Sequence, residues 1–248
     1  MHRKSFIKRG FSNVPGDMFR VVVMLLFLAA TNTVNAQVSG SATLVSDYRY
    51  RGVSLSQGMP EAQVDIGYDS PSGWYAGMLG SGVRLNDIRN GVNTEQFVAY
   101  AGYAGKILSG LNWEVGASDE RFIGNSAYDY LEEFVGLTSD HFNARIYFSP
   151  SYFDQDVRTV YAELNAAYSL QDHVQLLAHA GLLHPLEAAN GFPSASASRY
   201  DGRIGVNAPF DNWNFQLAWV TLQKKTTLYP HYDDRNPHAV VLSISYSF

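Results

Sequence analysis

Residues 61–69 read Glu61-Ala62-Gln63-Val64-Asp65-Ile66-Gly67-Tyr68-Asp69, polar or small residues alternating with apolar ones without a break. Side chains along a strand point to opposite faces with period two. Ala62, Val64, Ile66 and Tyr68 therefore share one face, and Glu61, Gln63, Asp65 and Asp69 the other. The pattern recurs at 111–118, 142–149, 161–168 and 213–219. In the last segment Val240, Leu242, Ile244, Tyr246 and Phe248 oppose Val241, Ser243, Ser245 and Ser247.

Working outward from these segments gives twelve strands, at 40–51, 60–70, 73–83, 94–104, 110–119, 128–138, 141–150, 158–169, 172–182, 198–208, 212–222 and 238–248. Two of them, 73–83 and 128–138, alternate poorly. The links between strands alternate in length. Short ones such as Pro71-Ser72-Gly73, Ser139-Asp140 and Pro209-Phe210-Asp211-Asn212 face longer polar ones at 52–59, 84–93, 120–127, 151–157, 183–197 and 223–237. Short turns at one end and long loops at the other describe an antiparallel meander of the outer-membrane type.

A secreted barrel or β-sandwich has the same local pattern with its apolar face buried. Two features favour the membrane. Tyr48, Tyr50, Tyr68, Tyr75, Tyr103, Trp113, Tyr168, Trp213 and Trp219 fall near strand ends, where an interfacial girdle belongs. The chain also finishes on an apolar strand, which is an aggregation hazard unless it pairs with the first strand and closes a barrel. The expected class is all-β: a transmembrane antiparallel up-and-down β-barrel of twelve strands.

The first 36 residues read differently. His2, Arg3, Lys4, Lys8, Arg9 and Arg20 precede the apolar run Val21–Ala30, and Val34-Asn35-Ala36 forms a small-residue cleavage site before Gln37. This is a secretory signal peptide over 1–36, with the barrel over 37–248; ten apolar residues are too few for a membrane helix. Five of the 18 Lys and Arg and one of the 23 Asp and Glu lie in the leader, leaving 13 against 22, net −9. Such a surface disfavours nucleic acid as a partner. The chain has no cysteine, so no disulfide framework supports the exported fold.

Leu44-Val45-Ser46-Asp47-Tyr48-Arg49-Tyr50-Arg51-Gly52-Val53-Ser54, followed by Ser56-Gln57-Gly58 and Pro60, resembles the first hairpin of the TorF family of outer-membrane porins. Gly73-Trp74-Tyr75-Ala76-Gly77, Tyr100-Ala101-Gly102-Tyr103 and Tyr161–Tyr168 are similar to later strands of that family. The loops 183–197 and 223–237 are longer than the family's. The resemblance implies a porin and leaves the solute open.

The strand assignment turns thirteen ionisable residues inward: Asp47, Arg49, Arg51, Glu61, Asp65, Asp69, Glu114, Glu132, Arg145, Glu163, His179, Asp201 and Arg203. Charges do not face hydrocarbon, and twelve strands enclose more than their own side chains fill. The expectation is a pore passing small hydrophilic solutes, with eight acids against four arginines giving a weak cation preference. In the alternative, Arg49 and Arg51 pair with Asp65 and Glu61 on the next strand and plug the lumen. By resemblance to other barrel C-termini, Ile244, Tyr246 and Phe248 are expected to form the insertion signal read by the barrel-assembly machinery, and the outer face is expected to meet outer-membrane lipid.

Other classes find less support. No Gly-x-Ser-x-Gly motif occurs, and His179 has only Ser118 and Ser149 as conceivable nucleophile partners. Tyr103-Ala104-Gly105-Lys106 lacks the spacing of a phosphate loop. His231, Asp233, Asp234 and His238 could ligate a metal but read better as a solvated loop. No enzyme activity, metal or cofactor is expected. An adhesin or structural barrel acting through Lys224, Lys225, Tyr229, His231, Tyr232 and Arg235 is the other alternative.

Overall fold

The computed structural model describes residues 37–85, 92–154, 157–186, 198–223 and 236–248. The expected leader lies outside the described residues. So do 187–197 and 224–235, and with them Lys224, Lys225, Tyr229, His231, Tyr232, Asp233, Asp234 and Arg235.

Fourteen strands are described: β1 (Gln37–Val45), β2 (Arg49–Tyr50), β3 (Val53–Ser54), β4 (Glu61–Asp69), β5 (Trp74–Leu85), β6 (Val92–Leu108), β7 (Leu111–Phe122), β8 (Tyr130–Ser139), β9 (Phe142–Ser149), β10 (Thr159–Gln171), β11 (Val174–Pro185), β12 (Arg199–Phe210), β13 (Trp213–Leu222) and β14 (His238–Ser247). All but β2 and β3 join in one closed antiparallel barrel of twelve strands, each beside its sequence neighbour. Closure runs from Ser41 opposite Ser247 to Val45 opposite Ser243. Phe248 and Gly40 exchange backbone hydrogen bonds of 2.9 and 3.0 Å beyond it. The seam carries an inward Thr43–Ser245 hydroxyl pair at 2.8 Å. With no open edge, every wall strand pairs on both sides, as a bilayer core demands.

Tight turns close one end. Gly73, at φ 96°, sits in the β4–β5 turn, a backbone conformation that suits glycine. Gln37 pairs with Asp69, and the Ser247 amide bonds to the Asn212 carbonyl, so both ends of the barrel chain lie at this turn end.

The outer wall is apolar. Leu44, Val115, Ile146, Leu164, Ile204, Leu217 and Val240 are exposed on it, in a belt made for hydrocarbon. Trp74, Tyr103 and Trp113 form a contiguous aromatic band at the turn end, with ring centroids 5.2 and 5.8 Å apart. Trp213 and Tyr246 continue it at 5.0 Å. Toward the loop end, the outward positions become Glu95, Asp119, Arg121 and Glu133, which marks the upper margin of the apolar belt.

The first expected strand, 40–51, is corrected by the structure. The wall strand ends at Val45, and residues 47–56 fold back into the barrel. Asp47 turns the chain: its carboxylate accepts bonds from Arg49 Nε at 2.6 Å, Ser54 Oγ at 2.5 Å and Ser56 Oγ at 3.2 Å. Arg51 and Gly52, at φ 48° and 78°, then make a two-residue reversal, with Tyr50 opposite Val53. Positive φ at both central residues is the hairpin geometry that glycine favours. Tyr48 and Tyr50 therefore lie inside the barrel, and Tyr75 also points inward. None of the three belongs to the outer girdle.

This inturned hairpin carries the core of the molecule. Val53 and Leu55, 1 and 2 % exposed, pack in a buried cluster with Val83, Phe122, Tyr130 and Leu222 from the wall. Full burial of such a side chain contributes about 1.5–3 kcal/mol. The loop end of the barrel interior thus combines an apolar cluster with buried polar groups, Gln96, Glu120 and Glu132 among them, whereas the turn end is polar.

Candidate functional site: a plugged lumen

The hairpin is held on both sides of the barrel. Arg51 reaches β8, where its two Nη atoms bond the two carboxylate oxygens of Glu132 at 2.8 and 2.6 Å. Both side chains are almost wholly buried. The guanidinium also lies 4.0 Å over the Tyr161 ring, with Tyr50 and Tyr147 at 4.8 and 5.1 Å. Burial works against the Arg51 charge, but Glu132 beside it more than offsets this and keeps the guanidinium protonated. Burial pushes the Tyr48 and Tyr50 hydroxyls up, so both stay neutral. Tyr48 donates to Gln96 Oε1 on β6 at 2.9 Å. On the opposite side, Arg49 donates to the Gly52 carbonyl at 3.0 Å and to the Asn236 carbonyl, just before β14, at 2.9 Å.

Gly52 at the tip touches β12 and β13. A Cβ there would lie 2.9 Å from Asp201 Cβ and 3.0 Å from Leu222 Cδ1. The tip therefore fits only without a side chain.

Two cavities of 310 Å³ each flank the plug. One lies toward the lumen and is lined by Gln63, Asn165, His179, Arg203 and Gln216 among others. The other lies toward the loop end, among Ser54, Gln57, Asn236 and His238. Asp47 and Arg49 line both, so the cavities meet at that 2.6 Å ion pair.

The remaining inward residues form their own sets. Glu114 is the hub of one: Arg145 bonds it at 2.8 and 3.0 Å, Tyr75 at 2.9 Å and Asn143 at 3.2 Å. Glu163 accepts from Tyr147 at 3.1 Å. His179 bonds Asp201 Oδ1 through Nε2 at 2.7 Å and Asn165 through Nδ1 at 2.8 Å. Tyr161 donates to the same Asp201, at 3.2 Å, which links this set to Arg51 above it. Arg203 lines the lumenal cavity, with a buried Nε that meets no acceptor among the described residues. Asp65 points inward on β4, and Asp69 stands exposed at the turn end.

The expected contact of Arg49 and Arg51 with Asp65 and Glu61 does not form. Arg49 takes Asp47, Arg51 takes Glu132, and Glu61 pairs with Arg84 on β5 at 2.8 Å. The reversal at Arg51–Gly52 carries both arginines away from β4. Ser118 and Ser149, the serines considered for His179, instead donate to Glu120 and to the Leu131 carbonyl. His238 shares a 2.8 Å hydrogen bond with Thr221 and stacks on Trp219.

Sequence reading overlooked Glu120, which belongs to β7 and faces inward at 2 % exposure. Placing 120–127 in a loop hid its facing. One more alternation past Ser118 would have put it on the polar face.

In fold, the barrel is similar to solved outer-membrane porins. The NanC porin superposes with a TM-score of 0.56 at 11% identity, covering 85% of this chain and 99% of that one. The KdgM porin in complex with disordered oligogalacturonate gives 0.50 at 9% identity, covering 86% and 99%. No curated protein matches the chain. The family model described as "Bacterial protein of unknown function (Gcw_chp)" matches residues 29–248, and the chain belongs to that family.

Proposed function

We propose that this protein is an outer-membrane channel for passive diffusion of small hydrophilic solutes, with the inturned hairpin as its constriction. The observation that carries the reading is the two-sided wall. An apolar belt faces outward, while a charged interior holds two cavities that meet at one ion pair. A charged interior at membrane depth requires water or a polar filling. The porin folds and the TorF-like first hairpin support the same reading.

We further propose a weak preference for cations. Toward the turn end, Asp65, Asp69 and Glu163 line the wall, while Arg145 is already matched by Glu114. A low-dielectric wall concentrates the field of such charges on a passing ion. The buried plug favours a second reading, a non-conducting structural barrel that acts through its loops.

Planar-bilayer recording separates the two. Purified protein should give discrete conductance steps, and a variant with 47–58 replaced by a short Gly/Ser linker should give larger ones. Silence from both, with the barrel folded, would leave the structural reading standing and reject the channel.

A further inference from the structure

Glu120 and Glu132 face the same interior from adjacent strands, in the cross-strand pairs Glu120–Tyr130 and Ser118–Glu132. They are 2 and 1 % exposed. One guanidinium serves them, and both of its Nη atoms bond Glu132. Among the described residues Glu120 receives one hydrogen bond, from Ser118 to Oε1 at 3.0 Å, and its Oε2 meets no donor. Two neighbours on this face are also incomplete. The buried Tyr130 hydroxyl and the Gln96 amide nitrogen find no partner among the described residues, although Gln96 Oε1 takes the Tyr48 hydroxyl from the plug.

An ionised Glu120 in this place would be a second buried negative charge beside Glu132, without a cation of its own. A protonated Glu120 removes that charge and turns its orphan acceptor into a donor. When the hairpin withdraws, Tyr48, Tyr50 and Arg51 leave, water reaches the carboxyl and ionisation becomes easy. We propose that Glu120 is a proton-binding site coupled to the plug: closure takes up one proton there, and rising pH releases the hairpin. The inference goes beyond the channel reading, because plug movement can be followed with or without conduction.

The charged and titratable groups around Glu120 are Glu132 and Tyr130 on β8, Asp119 on its own strand, and Tyr48, Tyr50 and Arg51 on the hairpin. Glu120 stands at the level of outward Asp119 and Arg121, above the apolar belt. The sign follows from linkage. The closed state binds the proton more tightly than the open state, so closure is favoured at low pH. Opening gains up to about tenfold per pH unit from the ordinary carboxylate range near 4.3 upward, until the closed form also ionises.

The chain has no native cysteine, so a single introduced thiol reports the plug alone. Val53→Cys places one in the buried hairpin, and Ser126→Cys supplies an exposed reference that corrects for thiolate formation. In detergent-solubilised full-length barrel, the Val53→Cys to Ser126→Cys labelling ratio should rise at least tenfold between pH 5 and 8. With Glu120→Gln added, it should change less than twofold. His179→Gln, which removes the imidazole in contact with Tyr161, should leave the rise intact. A ratio that rises equally with and without Glu120→Gln, or does not rise at all, overturns the proposal.

Should Val53→Cys fail to fold, the pH dependence of bilayer conductance in the unaltered chain and in Glu120→Gln is the second measurement. Conductance that ignores pH in both rejects the switch and keeps the channel. pH-dependent labelling in a barrel that never conducts keeps the switch and rejects the channel.

Discussion

Arg51, on the loop that follows the first wall strand, forms a two-point ion pair with Glu132, four strands beyond β4 around the barrel. The pair ties a mobile type of element, a loop, to the far wall, and both charges are desolvated in doing so. Removing one partner of a buried pair costs about 3–5 kcal/mol because the other is left unpaired, whereas replacing both with apolar residues is often neutral. Arg51→Met should therefore loosen the plug and raise the mean conductance. Arg51→Met with Glu132→Met should return it toward the unaltered value. A double-mutant cycle read on conductance or on thiol labelling checks this; equal loosening in the single and double variants would show that the pair is not the latch.

Orientation follows from the ends of the barrel chain. Both lie beside the short turns, so the long loops and the plug face the cell exterior if the termini are periplasmic. Ser126→Cys, exposed between β7 and β8, should react with a membrane-impermeant thiol reagent on intact cells. Asp140→Cys, exposed in the β8–β9 turn, should react only after the outer membrane is opened. The reverse pattern would invert the barrel.

The wall was readable from the sequence because one face of each strand meets lipid and the other meets water or polar groups. Where that contrast holds, as in 61–69 or 240–248, facing and order follow from alternation alone. It fails near the loop ends, where the interior holds an apolar cluster. Val83, Tyr130 and Phe134 are inward and buried, so 73–83 and 128–138 carry apolar residues on both faces. The plug was hidden for a related reason. Tyr48 and Tyr50 alternate with Asp47, Arg49 and Arg51 in a strand-like pattern past Val45, and nothing local says that the chain has left the wall. The reversal was signalled only by Arg51-Gly52, a short turn pair between Tyr50 and Val53. The long-range partners of Arg49 and Arg51 could not be read from spacing, since they depend on which loop turns inward.

The seam gives a prediction about assembly. Phe248 closes the last backbone exchange with Gly40, and its ring occupies the space that a Gly40 side chain would need. With Ile244 and Tyr246 it also continues the outward apolar face of β14. Deleting Phe248 should lower the amount of heat-modifiable barrel in the outer membrane, and Gly40→Val should do the same by expelling the ring. Normal accumulation of both variants would separate closure from the C-terminal residue.

Selectivity tests the turn-end charges. Asp65 faces the lumen on β4, opposite Leu79 on β5 and Ser41 on β1, and no arginine is paired with it across either neighbour. In the proposed channel its field would act on passing ions, whereas Glu114 is matched by Arg145 and would contribute little. Asp65→Asn should shift the reversal potential in a salt gradient toward zero, and Glu114→Gln should instead release Arg145 and shift it toward anions. Both shifts should shrink in high salt, because the Debye length falls from about 10 Å at 0.1 M to about 3 Å at 1 M. Arg49→Ser acts differently, by parting the ion pair where the two cavities meet: conductance should rise more than selectivity changes. If Asp65→Asn leaves the reversal potential unchanged while Arg49→Ser alters it, ions are selected at the plug and not along the wall.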